Sequence, residues 1–180
     1  MGGFGSGLHS HSGRTKSTVE QSLTLSISDW TREGLLQKGA RKQGAQRWTD
    51  RKGDLFTVDL DVDARDADQA TVTLSYSYII VSSDVEQSEE YQVDLTTTRP
   101  NFGGLRWWFI CPLSEHNFPC QRRVTKLHLP PSARYFGCRH CHNLTYRSCR
   151  ESRKYDAAFK ELACLFGQSP TAIQKLLRNR

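Results

Sequence analysis

Residues 103–146 read GGLRWWFICPLSEHNFPCQRRVTKLHLPPSARYFGCRHCHNLTY and hold four of the six cysteines of the chain, in two pairs separated by strand-like sequence. Cys138 and Cys141 form C-x2-C, a spacing that lets two thiolates from one tight turn reach the same tetrahedral ion. Cys111 and Cys120 form the longer C-x8-C. The eight residues between them include Ser114, Glu115, His116 and Asn117, turn formers able to loop out and leave both sulfurs at the neck of a hairpin. His116 is an alternative ligand in place of one cysteine. From Cys120 to Cys138, Val124, Leu127 and Leu129 precede Pro130-Pro131, and Tyr135 and Phe136 follow, a pattern that suits two short strands joined by a turn. The stretch reads as a zinc ribbon, 103–147, with Cys111, Cys120, Cys138 and Cys141 as ligands. A metal supplies stability that so small a β-unit cannot draw from its own core. Four buried free thiols or a disulfide pair are the alternatives. Four protein ligands leave no open coordination position, which favours a binding module over an enzyme.

The runs GGLRWWFICP, CQRRVTKLHLP and YFGCRHCHNLTYRS, with the opening MGGFGSG, resemble a group of uncharacterised bacterial proteins met on phages, plasmids and other mobile elements. In that group the first cysteine pair is CP-x-CG, and here LSEHNF is in effect inserted. The resemblance implies a metal-binding protein associated with mobile elements. It implies no activity.

At 180 residues the chain is long enough to bury a substantial core. No stretch reaches the ~20 apolar residues of a membrane span, and no hydrophobic signal core opens the chain, so a cytoplasmic protein is expected, where cysteines favour metal over disulfides. The net charge of +6 is unevenly spread. Residues 54–98 carry eleven acidic and one basic residue, whereas 121–180 carry thirteen basic and three acidic. Only part of such a molecule suits a polyanion.

Residues 1–18 are Gly/Ser-rich and read as a flexible arm. Over 19–102, Leu23, Leu25 and Ile27 alternate as a short strand. The run DWTREGLLQKG then predicts a helix opened near Asp29 and stopped at Gly39. The basic GARKQGAQRWTDRKG reads as a solvated loop or a phosphate grip, with the loop preferred. Phe56, Val58, Leu60 and Val62 begin a period of two that recurs in Val72, Leu74, Tyr76, Tyr78 and Ile80, and in Tyr91, Val93 and Leu95. This is an antiparallel meander continuing through Ile110, with ARDADQA and SSDVEQSEE as polar connections. Asp59, Asp61 and Asp63 fall on its wet face. They fail as a calcium loop, because Ala64 stands where glycine is required and Ala70 where the bidentate glutamate belongs. Trp107 and Trp108 point to opposite faces, one to the core and the other to cover the ribbon or offer a stacking surface.

Residues 148–180 switch to helical spacing and predict a helix-turn-helix-like pair, with Gly167 at the turn and Cys164 in a helix core. The expected fold class is α+β: an antiparallel β-sheet, a zinc ribbon and a C-terminal helical pair. The functional expectation is a zinc-binding, DNA-binding protein contacting double-stranded DNA, a regulator or accessory factor rather than an enzyme. Arg122, Arg123, Lys126, Arg134, Arg139 and Arg147 are the expected phosphate contacts. Ser169, Thr171, Gln174, Lys175 and Arg178 are the expected exposed face of the second helix. His128, His140 and His142 are further candidates for zinc or phosphate contact. The alternative is a protein-interaction module that acts on a host protein partner such as a polymerase or defence complex.

Overall fold

A computed structural model describes residues 16–49, 53, 55–80, 85–101, 103–115, 118–131, 133–151 and 164. The chain enters through a 3-10 turn, Val19–Gln21, into strand β1 (Leu23–Ser26) and helix α1 (Ile27–Arg32). There follow β2 (Arg41–Thr49), β3 (Leu55–Asp63), β4 (Thr71–Ile80), β5 (Val85–Thr98) and β6 (Arg106–Ile110). A small hairpin comes next, β7 (Ser114–Glu115) and β8 (Phe118–Pro119). Then β9 (Arg123–Val124), β10 (Lys126–Leu129) and α2 (Arg147–Glu151) complete the described elements. Six strands form one curled antiparallel sheet in the order β2-β3-β4-β5-β6-β9, and β1 pairs with β10.

The expected meander is present, with the expected faces. Val58, Leu60, Val62, Val72, Leu74, Val93 and Leu95 are buried, while Asp59, Glu90 and Asp94 lie on the solvent side. The sheet curls because β5 changes partner along its length, pairing with β4 through Asp94 and with β6 from Leu95. Its apolar face is covered by α1, by the β1–β10 pair and by Phe136. One contiguous core results, holding Trp30, Phe109, Leu127 and Phe136 together with the sheet residues. Trp30 meets Phe109 edge-on with ring centroids 5.0 Å apart, a geometry aromatic quadrupoles favour. Trp107 is the core member of its pair, and Trp108 is half-buried with its indole N–H donating to Thr98 Oγ1 at 2.9 Å.

The structure corrects several boundaries. Helix α1 starts two residues before Asp29 and stops at Arg32, because Gly34 rather than Gly39 terminates it. Gly34 takes φ +71°, and the amides of Gly34 and Leu35 cap the carbonyls of Thr31 and Trp30 at 3.2 and 2.9 Å, the usual left-handed glycine stop. The basic run expected as a loop is an edge strand, β2, registered along β3 from Arg41 opposite Asp63 to Thr49 opposite Leu55. Its pattern was hidden because both faces carry polar residues. Arg41 is bidentate to the Asp61 carboxylate at 3.0 and 2.6 Å, so an acidic strand selects a basic neighbour. Strand β5 likewise begins at Val85 rather than near Tyr91, since the Tyr78 hydroxyl bonds Gln87 and Glu89 across the ladder. At the amino end, Thr18 is buried and bridges Thr145, so the expected arm is structured at its last residues.

The zinc ribbon expected as a unit is dispersed. Strand β9 joins the main sheet, Thr125 turns the chain, and β10 leaves to pair with β1; among the described residues the return stretch adds a single bridge, between His128 and Gly137. The predicted C-terminal helical pair lies almost wholly outside the described residues. Cys164, expected in a helix core, is helical and exposed.

Trp30 is fully buried at the junction of both layers. Trp30→Ala is expected to cost about 3–5 kcal/mol in urea unfolding, whereas Leu55→Ala, at a 62% exposed side chain, should fall within about 0.5 kcal/mol of wild type. A loss below about 1 kcal/mol for Trp30→Ala would show that the two layers do not share a core.

Candidate metal centre

Cys111 follows β6 directly, and its amide donates to the Arg122 carbonyl at 3.0 Å. The β7–β8 hairpin folds the intervening residues outward. Ser114 pairs with Pro119 and Glu115 with Phe118, and the Cys120 amide closes the neck on the Leu113 carbonyl at 2.8 Å. The inserted residues therefore leave Cys111 and Cys120 adjacent, as the spacing suggested. His116 and Asn117, at the tip, lie outside the described residues.

The second pair is held by a tight turn in which His142, Asn143 and Leu144 donate to the carbonyls of Cys138, His140 and Arg139 at 3.2, 2.9 and 2.9 Å. Asn143, at φ +49°, takes the left-handed step that asparagine tolerates better than most residues. Gly137 precedes the turn for a different reason. A Cβ there would stand 2.2 Å from Leu113 Cδ1 and 2.9 Å from His142 Nε2. Glycine here lets the Leu113 and His142 side chains of the two cysteine-bearing segments pack against the backbone without having to move aside.

The four sulfurs converge. All lie within 4.8 Å of one another, with Cys111 to Cys141 and Cys120 to Cys138 each 3.9 Å apart. A tetrahedral ion with bonds of about 2.3 Å to sulfur needs sulfur–sulfur edges of about 3.8 Å, whereas a disulfide needs about 2.05 Å. The cluster fits the ion and not the bond. Cys111 and Cys138 are buried and the other two half-buried. Burial pushes the Cys111 thiol up to about 11 and raises Cys141 as well. At Cys138 burial acts against ionisation, yet hydrogen bonds from the Cys141 amide and the neighbouring thiols prevail and hold the group below its ordinary value. A divalent cation supplies the charge that makes four adjacent thiolates tolerable.

The surroundings answer the excess negative charge of a centre built from four thiolates. The Cys138 amide donates to Cys111 Sγ at 3.2 Å and the Cys141 amide to Cys138 Sγ at 3.4 Å. The exposed Arg122 brings Nη1 to 3.8 Å from Cys120 Sγ. Arg122, expected as a phosphate contact, thus stands beside the sulfurs. Arg134 is placed elsewhere, ion-paired with Glu89 on β5 at 2.6 Å. Arg123 and Lys126 flank the turn from β9 to β10, and Arg139 lies within the C-x2-C turn with its guanidinium 5.2 Å over Tyr146. Arg147 is exposed, and its amide donates to Glu20 at 3.0 Å. The five polar residues from Ser169 to Arg178 lie outside the described residues.

His128 is no ligand to this cluster. It is buried against Thr24, Oγ1 to Nδ1 at 3.0 Å, and burial lowers its pKa to about 4, keeping it neutral. His142 is half-buried behind Gly137, and its pKa is also lowered by burial. Among the described residues, these four cysteines are the one group of His, Cys, Asp or Glu side chains placed to hold a metal. Asp61 and Asp63 are taken by Arg41 and Arg65 instead. No protein-family model matches the chain, and no match is found among curated proteins or solved structures.

Metal analysis of the purified protein should find one equivalent of a thiophilic metal, lost in Cys138→Ser. Arg122→Ala should retain the fold and weaken metal binding by about 10-fold, the lower end of the usual range for groups that support ligands. Full metal affinity in Arg122→Ala would remove the charge-compensating role. Wild-type protein without metal would remove the centre itself.

Proposed function

We propose that this chain is a zinc-binding protein that binds DNA and serves as an accessory or regulatory factor of a mobile element. Zinc is the natural occupant of four thiolates in a tetrahedron, having no geometric preference of its own and a high affinity for soft ligands. With every position filled by protein, the ion's role is structural. The observation that carries the DNA reading is the basic surface beside the cluster. Arg123, Lys126 and Arg139 sit together there, and none of them shares an ion pair with a carboxylate among the described residues. Unpaired cations gathered on one face are the electrostatic footprint of a phosphate-binding surface. The resemblance to proteins of phages and plasmids supports the biological setting.

The outer sheet face favours a second reading. Asp59, Glu90 and Asp94 form an exposed acidic surface there, which suits a basic host protein and repels nucleic acid. A stoichiometric partner captured from host lysate and retained after nuclease treatment would favour that alternative.

Binding to a labelled duplex should weaken steeply with salt. Arg123→Ala and Lys126→Ala should each lower the magnitude of the log–log salt slope by about 0.9, with little dependence on sequence. A salt-independent interaction, or no complex at about 50 mM salt, would remove the DNA reading.

A further inference from the structure

We propose that the groove between β6, the β9–β10 turn and the Cys138–Cys141 turn is a site for unpaired nucleobases, so that single-stranded DNA is its preferred ligand. This rests on the nucleic-acid reading above and narrows it. The groove encloses about 310 Å³ and is lined by Trp108, Arg123, Lys126, Arg139, His140 and Tyr146, with His128 and Val19 also on its wall. That volume lies at the lower end of the ~300–1,000 Å³ typical of small-ligand sites. Among the described residues, no carboxylate lines it. On the amino-terminal side Glu20, next to Val19, accepts the Arg147 amide.

Aromatic rings distinguish this groove from a plain basic patch. Trp108 is half-buried, and Tyr146 is 45% exposed. Each carries a guanidinium near its ring: Arg106 lies 4.3 Å from the centroid of Trp108, and Arg139 lies 5.2 Å from that of Tyr146. Each arginine keeps its charge while held over one face of its ring, so a base would stack on ring surface that the guanidinium leaves uncovered. A duplex already covers the faces of its own bases and could present only phosphates here. A single strand can turn its bases inward onto the rings while its backbone follows Arg123, Lys126 and Arg139, the arrangement common to single-strand binding surfaces.

The metal turn supplies one wall. Arg139 and His140 are the two residues between the Cys138 and Cys141 ligands, so their position is fixed by the same turn that holds the sulfurs.

The test compares oligo(dT) of about 16 nucleotides with a duplex of equal length by fluorescence anisotropy at about 50 mM salt, using metal-loaded full-length protein. The single strand should bind at least about 10-fold more tightly. Tyr146→Ala should weaken it by about 10-fold, as loss of one stacked base does, and leave duplex binding unchanged. Tyr146→Phe should behave as wild type. Trp108→Leu should act like Tyr146→Ala, with unchanged metal content and thermal midpoint serving as the folding control. Equal affinity for both ligands, indifference to Tyr146→Ala, or failure of Tyr146→Phe to preserve binding would each overturn the stacking site while leaving DNA binding intact. Absence of binding to either ligand would remove both readings.

Discussion

A curled sheet with one apolar face must have that face covered, and here the cover is tied down by sulfur. The chain leaves β6 at Ile110 and returns across the sheet through β10, and the cluster joins the point of departure, Cys111 and Cys120, to the far side of the return, Cys138 and Cys141. A bound cation would close the loop from Cys111 to Cys141, 30 positions apart in sequence, lowering the entropy of the open chain as any cross-link does. The covering pieces have little hold of their own. Strand β10 has four residues, β9 has two, and the segment bearing Phe136 adds one bridge to His128. Phe136 nonetheless is fully buried, stacked 6.3 Å from Trp48 and edge-on to Tyr76 at 5.8 Å. Its amide donates to the Tyr91 hydroxyl at 2.8 Å. A metal at the cluster would therefore couple its own binding to completion of the sheet core.

Charge follows the same division. On β2, Arg41 answers Asp61 and Lys42 reaches the Gly34 carbonyl, and an edge strand rich in arginine and lysine discourages pairing with other chains. Among the described residues, Arg123, Lys126 and Arg139 beside the cysteine turn share no ion pair with a carboxylate, Arg139 lying instead over the Tyr146 ring, while Arg122 stands at the sulfurs and Arg134 at Glu89. A positive net charge alone would have treated both groups alike. Position in the fold separates cations that hold the protein together from cations available to a ligand.

Much of this was legible in the chain. Alternation in β3, β4 and the second half of β5 has the period of a half-buried strand, and C-x2-C has a turn length that lets two thiolates reach one ion. The hairpin at C-x8-C was also readable, because Ser114 to Asn117 are turn formers. What escaped reading were elements whose reasons lie elsewhere in the molecule. Strand β2 is polar on both faces and becomes a strand because β3 is acidic. The helix opens at Ile27, whose amide is taken by the distant Thr125 carbonyl at 3.0 Å, and stops at Gly34, while the Gly39 amide is taken by the distant Ala64 carbonyl at 2.8 Å. The departure of β10 from the ribbon depends on β1 offering Leu23 and Leu25 as partners to Leu129 and Leu127. None of these is a local property.

The pairing of Gly137 with Leu113 joins the fold to the site. Each cysteine pair forms its own turn, and four sulfurs reach one ion only if the two turns come close; where they meet, the half-buried Leu113 side chain fills the place in which a Cβ on Gly137 would stand, 2.2 Å from its Cδ1. An added carbon there must displace the end of that side chain and crowd His142 Nε2 at 2.9 Å. The side chains that must give way, Leu113 and His142, belong to the two cysteine-bearing segments, and Arg139 and His140 ride on the C-x2-C turn next to His142. The cysteine cluster and one wall of the basic groove therefore share a single turn, Cys138–Cys141, and what shapes that turn shapes both.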